Sequence, residues 1–145
     1  MTTVMLLGAI KRFLDSLFAH ESIVPTTRLG FLPQKAPGPG GAQESDFPFI
    51  IIRPAVGEDA LNGQTVKVKL LFGHKCQDDD GFIELFNIME TTRIAFLYQR
   101  FLEQRFIFNG DYKWTFFDEQ PYPEWIGEAV LSFTLPTVLE EGLDI

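Results

Sequence analysis

Residues 65–72, with the sequence TVKVKLLF, carry the clearest strand pattern in this chain. Apolar side chains occupy every even position from Val66 to Phe72, whereas lysines stand at positions 67 and 69. Because successive side chains of a strand point to opposite faces, this alternation predicts a strand with one buried face.

A second strand is predicted just before it, at residues 47–53, FPFIIIR. These residues are β-branched or aromatic, and Pro54 should close the strand. Pro48 should lie near the start of the strand or on an unpaired side, because proline has no N–H to donate. Residues 57–63 are rich in turn formers, so we expect a turn between the two strands.

Two helices are predicted from apolar residues that recur at steps of three and four. The first helix covers Val4 to Phe18, and the second follows the run Asp78-Asp79-Asp80-Gly81. Asp79 or Asp80 should cap the second helix. The apolar stripes comprise Leu7, Ile10, Leu14, Leu17 and Phe18 in the first helix, and Phe82, Leu85, Phe86, Met89, Phe96 and Leu97 in the second.

Further strands are predicted near both ends. Residues 28–32 can form a short strand before Pro33. The dipeptide Asn109-Gly110 favours the positive backbone angles of a tight hairpin turn, so residues 106–108 and 112–117 should pair with each other. A last strand covers residues 129–135 and ends at Pro136.

This order of elements predicts an α+β fold, in which two helices pack on one face of a mostly antiparallel sheet. The 145 residues suffice for one domain, residues 1–145, with one core. Residues 34–46 contain Pro37, Pro39 and three glycines but almost no apolar residue, which is typical of an exposed, flexible loop.

Composition narrows the class of protein. The chain is 46% hydrophobic and has 15 phenylalanines, so we expect a packed, aromatic core and no membrane span. A formal charge of −8 disfavours a grip on nucleic acid through counterion release. The single cysteine, Cys76, excludes an internal disulfide and fits a reducing cytoplasm, and we find no export signal.

Two clusters of residues could bind a metal ion or act in catalysis, but neither has the spacing that a metal-binding or catalytic site requires. The run of residues 78–80 could bind a hard cation, yet calcium loops take ligands from alternate positions, so we favour helix capping. His74 and Cys76 would share a strand face as a thiolate–imidazole pair, but no nucleophile turn surrounds Cys76. Two histidines and one cysteine cannot build an ordinary zinc site without carboxylates. We therefore expect no catalytic residue, no cofactor and no metal.

The segment before the last strand is a candidate assembly interface. It contains Pro121, Tyr122, Pro123, Glu124 and Trp125, and aromatic residues held by prolines make contact surfaces at low ordering cost. A stiff connector that packs on its own sheet is an equally open interpretation. The Pro37 and Pro39 loop is the second candidate.

Three stretches resemble the tail-terminator (tail-completion) proteins of bacteriophages. They are residues 46–54 (DFPFIIIRP) with the following Gly57-Glu58-Asp59, residues 65–73 leading through residues 77–81 into the second helix, and residues 109–135 with EQPYPEWIGE at 119–128. With the first helix, these stretches cover nearly the whole chain in order.

The resemblance implies a non-enzymatic α+β subunit that forms a ring, expected to be a hexamer, on the head-proximal end of the tail tube. The ring would stop tube polymerisation and present a surface to a head-completion (neck) protein. DNA would pass through its lumen without sequence-specific binding, along acidic walls if the charge of −8 faces inward. The implied location is the neck of the virion, after assembly in the host cytoplasm.

Other functions stay open. Another neck or head-completion subunit would share a small α+β fold and ring symmetry. A small-ligand-binding or hydrolytic domain would need a pocket with convergent polar groups, for which only His74 and Cys76 are at hand.

Overall fold

A computed structural model describes residues 2–32, 46–61 and 63–136 of the chain. These residues form two helices and one six-stranded sheet of order β1-β2-β3-β6-β5-β4. All neighbouring strands are antiparallel except β1 and β2, which are parallel. The elements are α1 (Thr3–Phe18), β1 (Thr26–Leu29), β2 (Phe49–Ala60), β3 (Gly63–Lys75), α2 (Gly81–Tyr98), β4 (Phe101–Leu102), β5 (Phe106–Phe116) and β6 (Glu124–Leu135).

The core lies between one face of this sheet and both helices. Val66 and Val68 of β3 stand opposite Phe133 and Leu131 of β6, and all four side chains are buried. The helices cover this face with buried residues, namely Leu6, Ile10 and Leu14 from α1 and Leu85, Met89 and Phe96 from α2. Burying each such side chain contributes about 1.5–3 kcal/mol. The predicted α+β fold, with its helices on one face, is confirmed.

The first turn of α1 is capped by a side chain, whereas that of α2 is not. Thr2 accepts a hydrogen bond from the backbone N–H of Met5 at 3.2 Å. Asp80 holds the N-cap position of α2, but its carboxylate forms no capping hydrogen bond. Its backbone is helical (φ −74°, ψ −2°) and not extended, so the side chain is not directed at the first free N–H groups. The prediction of a side-chain cap was wrong.

The short strand β1 and the long strand β2 differ from their predicted bounds. β1 ends at Leu29, because Gly30 takes a positive φ of +85° and turns the chain. β2 starts at Phe49, two residues after its predicted start, and continues past Pro54 to Ala60. The pairing with β3 shifts between Pro54 and Val56, so a bulge accommodates the proline. Most of the predicted turn at residues 57–63 is therefore strand.

Residues 106–116 form one strand and not the predicted hairpin. The register of β5 against β6 shifts between Phe108 and Tyr112, and Gly110 has a φ of +95° there. Asn109-Gly110 thus makes a bulge, which also uses a positive φ. The chain reverses later, at residues 117–123, and β6 begins at Glu124, five residues before its predicted start.

The predicted flexible loop at residues 34–46 lies outside the described residues, except for Asp46. That residue is only 2% exposed, so it does not belong to an exposed loop. Pro37 and Pro39 also lie outside the described residues. Neither α1 nor α2 is long and apolar enough to span a membrane.

Candidate assembly surface

The connector between β5 and β6, residues 117–123, is closed by the side chain of Gln120. Its amide nitrogen donates to the carbonyls of Phe117 at 2.8 Å and Ile126 at 3.0 Å. Its amide oxygen accepts from the N–H of Ile126 at 2.7 Å. Three hydrogen bonds from one side chain fix the position of the turn.

The same connector is joined to the segment that leads from β3 to α2. The Tyr122 hydroxyl donates to the carbonyl of Gln77 at 2.5 Å. The indole nitrogen of Trp125 donates to the carbonyl of Cys76 at 2.9 Å, and the Cys76 N–H donates to the carbonyl of Pro123 at 3.0 Å. The connector is therefore part of the packed fold.

The predicted interface residues divide into two groups by exposure. Trp125 packs against the core, and a Cβ on Gly81 would lie 2.3 Å from its Nε1. Pro123 and Glu124 are half-buried, whereas Pro121 and Tyr122 are exposed. This placement favours a structural role for Trp125 and leaves Tyr122 available for contacts.

Trp125 belongs to a group of six neighbouring aromatic rings, which we call the aromatic surface. It consists of Phe82, Phe86, Trp114, Phe116, Tyr122 and Trp125. Phe86 and Trp114 pack edge to face with ring centroids 5.0 Å apart, and Tyr122 and Trp125 do so at 6.2 Å. Such pairs contribute about 0.5–1.5 kcal/mol beyond their buried area. These ring contacts therefore stabilise the surface within a single copy of the chain.

An open groove of about 430 Å³ crosses this surface. Its lining is almost entirely apolar, and Phe82, Ile83 and Trp114 are each 45% exposed. An exposed apolar groove of this kind is a candidate site for a ligand or for another protein. The predicted burial of Phe82 was wrong. The sequence gives no clear signal for this exposure, because adjacent residues of the same helix, such as Ile88 and Met89, are both buried.

Two sheet edges are incompletely paired within the described residues. β1 pairs with β2 only over Phe49–Ile52, so the outer side of β2 from Pro54 to Ala60 has no strand partner there. β4 pairs with β5 only at Phe106 and Ile107, which leaves the outer side of residues 112–116 without one. Such edges can pair with a strand from another chain.

Several cations of this part of the chain are paired with carboxylates. Arg12 forms two hydrogen bonds to Glu103, at 2.7 and 2.9 Å, and these bonds lower the pKa of the Glu103 carboxyl. Arg93 binds Glu90 in the same manner, and Lys69 lies 3.5 Å from Glu128. These cations do not form a basic patch for phosphate groups.

One cluster of potential ligands is brought together by the fold. His74 lies at the end of β3, Cys76 is the first residue after that strand, and Glu84 lies in the first turn of α2. Nε2 of His74 is 2.5 Å from Oε2 of Glu84. The sequence predicted that His74 and Cys76 share a strand face; the two are close in space, but Cys76 lies just outside β3. Glu84 was missed, because its approach depends on how α2 crosses the sheet. The acidic run at residues 78–80 is not part of this cluster.

Comparison of the chain with models of known protein families finds no family that matches. A search of curated proteins likewise finds no relative.

Proposed function

We propose that this chain is a non-enzymatic subunit that assembles into a ring at the head-proximal end of a phage tail tube. The sequence resemblance supplies the class of protein. The structural observation that carries the proposal is the pair of incompletely paired edges on β2 and β5, within the described residues, at opposite sides of one sheet.

Opposite edges suit a ring because the contact that they make is heterologous. The β2 edge of one copy can pair with the β5 edge of the next, and each copy then has the other edge free for a further neighbour. When the rotation from each copy to the next brings a whole number of copies through one full turn, such a contact gives a closed ring and not an open filament. A contact built from one edge alone would stop at a dimer.

The aromatic surface supports the same contact. Trp114 lies on β5 and also lines the groove with Phe82 and Phe86. A neighbouring copy that docks on β5 would therefore cover the groove as well. Aromatic residues in such positions are enriched among the residues that dominate interface energy.

The charge of −8 supports a role in which DNA passes without being held. Proteins that grip DNA release counterions from phosphates with Lys and Arg, and Arg12, Arg93 and Lys69 are engaged by carboxylates here. The hexameric state, the tail-tube partner, the head-completion partner and the location at the neck of the virion rest on the resemblance.

Tube length tests this function. Tail-tube protein of the same phage is polymerised with and without the purified chain, and tubes are measured by electron microscopy. We expect short tubes with a ring on one end when the chain is present. Tubes of unchanged length with bare ends would contradict a terminator, whereas rings that bind only head-completion protein would assign the chain to another neck position.

A further inference from the structure

We propose that His74, Cys76 and Glu84 form a binding site for a divalent transition-metal ion of the zinc type. This site is independent of the ring proposed above. It uses a thiolate from Cys76, an imidazole nitrogen from His74 and a carboxylate oxygen from Glu84.

The backbone already places the three groups around one point. His74 lies at the end of β3, and Cys76 is the first residue after the last strand residue, Lys75. Their potential ligand atoms and that of Glu84 all lie within 4.8 Å of one another. Zinc bonds of about 2.0–2.3 Å in a tetrahedral site separate neighbouring ligands by roughly 3.3–3.8 Å. Side-chain rotations alone can therefore complete the geometry.

The two ring nitrogens of His74 have different surroundings. His74 is only 8% exposed, and its Nδ1 is buried without a hydrogen-bond partner among the described residues. A metal-ligating histidine commonly donates its other ring N–H to a neighbouring group, so Nδ1 is the position for such a second contact and does not itself indicate an ion at Nε2. The other ring nitrogen faces Glu84 at 2.5 Å. If a metal ion replaced the proton between Nε2 of His74 and Oε2 of Glu84, these two atoms would move apart to about 3.3 Å.

The donor set selects the class of metal. Calcium and magnesium prefer sites built from oxygen atoms, whereas one sulfur, one nitrogen and one oxygen suit zinc or cobalt. Three protein ligands leave one tetrahedral position for water or another ligand. Binding would displace the thiol proton of Cys76, so the affinity should fall as the pH is lowered.

The position of the site gives it a structural consequence. An ion there would link the end of β3 to the first turn of α2. The carbonyl of Cys76 also accepts the hydrogen bond from Trp125, which belongs to the aromatic surface. Metal binding should therefore stabilise the part of the fold that presents this surface.

Cobalt titration tests the site directly. The untagged full-length chain is treated with a chelator, and Co²⁺ is added while absorption is recorded, because Co²⁺–thiolate bonds give a charge-transfer band. The variants Cys76→Ser and Glu84→Gln keep the shape of the half-exposed ligands. His20→Ala and Glu21→Gln are matched controls, because neither residue belongs to the cluster. Thermal unfolding with and without Zn²⁺ is measured on the same five proteins.

We expect one Co²⁺ per chain, with a thiolate band that disappears in Cys76→Ser. Glu84→Gln should bind at least about ten-fold more weakly, and both variants should lose the rise in unfolding temperature caused by Zn²⁺. The two controls should behave like the original protein. Absence of the thiolate band, unchanged binding by Cys76→Ser, or equal loss in the controls would overturn the site.

Discussion

Tyr112 has a buried hydroxyl for which the described residues provide no hydrogen-bond partner. Its ring packs edge to face on Phe108, so the aromatic part of the side chain is well placed. Burial raises the pKa of Tyr112, whereas the nearby Arg93 opposes this shift. The unfolded phenol should have a pKa of about 10. The folded state therefore holds this proton more tightly than the unfolded state.

Tyr112→Phe should stabilise the fold by about 1 kcal/mol near pH 8, because it removes a polar atom that is buried without a partner. Because the pKa is higher in the folded state, proton binding by the Tyr112 hydroxyl favours the folded state. This proton-linked part of the free energy of unfolding is fully present below about pH 10 and is lost as the pH rises further. The phenylalanine variant should lack this alkaline loss. Urea unfolding at pH 8 and pH 10.5 measures both effects, with the exposed Tyr98→Phe as control. A less stable variant at pH 8 would show that the hydroxyl has a partner.

Gly73 of β3 has no room for a side chain. A Cβ there would lie 2.2 Å from the ring of Phe49, which is buried. Gly73→Ala should therefore destabilise the fold by about 1–3 kcal/mol through overpacking. Gly57→Ala is the control, because no atom of the part of the chain that the structure describes lies within 4 Å of its added Cβ. Equal urea midpoints for the two variants would contradict the close packing of Phe49 on the sheet.

Sequence patterns predicted which individual residues are buried where the local spacing of apolar residues was enough to define a strand or a helix face. The alternation from Val66 to Phe72 follows directly from strand geometry, and the four-residue step from Ile10 to Leu14 in α1 follows from helix geometry. The missing cap at Asp80 and the approach of Glu84 to His74 could not be predicted. Both depend on how the segment after β3 is held by Trp125, which is 49 residues from its partner Cys76 in sequence.

The aromatic surface should contribute more to association than to folding at its exposed members. Trp114→Ala should lower self-association and reduce the free energy of unfolding by about 1–2 kcal/mol, because Trp114 is half-exposed but loses its ring contact with Phe86. Trp125→Ala is the counterpart and should cost about 2 kcal/mol or more of folding stability, because it packs on the core. Urea unfolding and sedimentation velocity measure the two quantities. A reversed order would place Trp125, and not Trp114, in the interface.

The outer edge of β2, which has no strand partner from Pro54 to Ala60 among the described residues, makes a separate prediction. A lysine on an exposed edge opposes pairing with another chain, so Val56→Lys should weaken self-association by about ten-fold or more and leave the circular-dichroism spectrum unchanged. Val24→Lys is a matched control, because Val24 lies outside the strands and is similarly exposed. If both variants associate like the original protein, the β2 edge is not part of the contact.

The ends of the strands were the least predictable feature, because the bulges contain residues that commonly end a strand. Pro54 and Asn109-Gly110 are both strong signals for ending a strand. In this fold, long neighbours hold the strands in register on either side of each irregularity: β3 pairs β2 through Ala60, and β6 pairs β5 through Phe116. Pairing with a distant strand overrides the local turn signal. This effect is not visible in a short window of sequence.

The fold class followed from the number and order of elements, but the sheet order did not. β3 lies beside β6, and the two strands are separated by α2, β4 and β5 in sequence. That adjacency brings the segment after β3 against the connector before β6. It thereby creates the aromatic surface and leaves the outer parts of β2 and β5 as opposite edges. The proposed ring is a property of this arrangement and not of any single motif.

The mass of the purified protein in solution is the most direct test of a closed ring. Each chain has a mass of 16.5 kDa. Native mass spectrometry over a range of protein concentrations should show one discrete species, expected to be six chains, and no ladder of open oligomers. A strict monomer at every concentration, both alone and with tail-tube protein, would contradict the proposed ring.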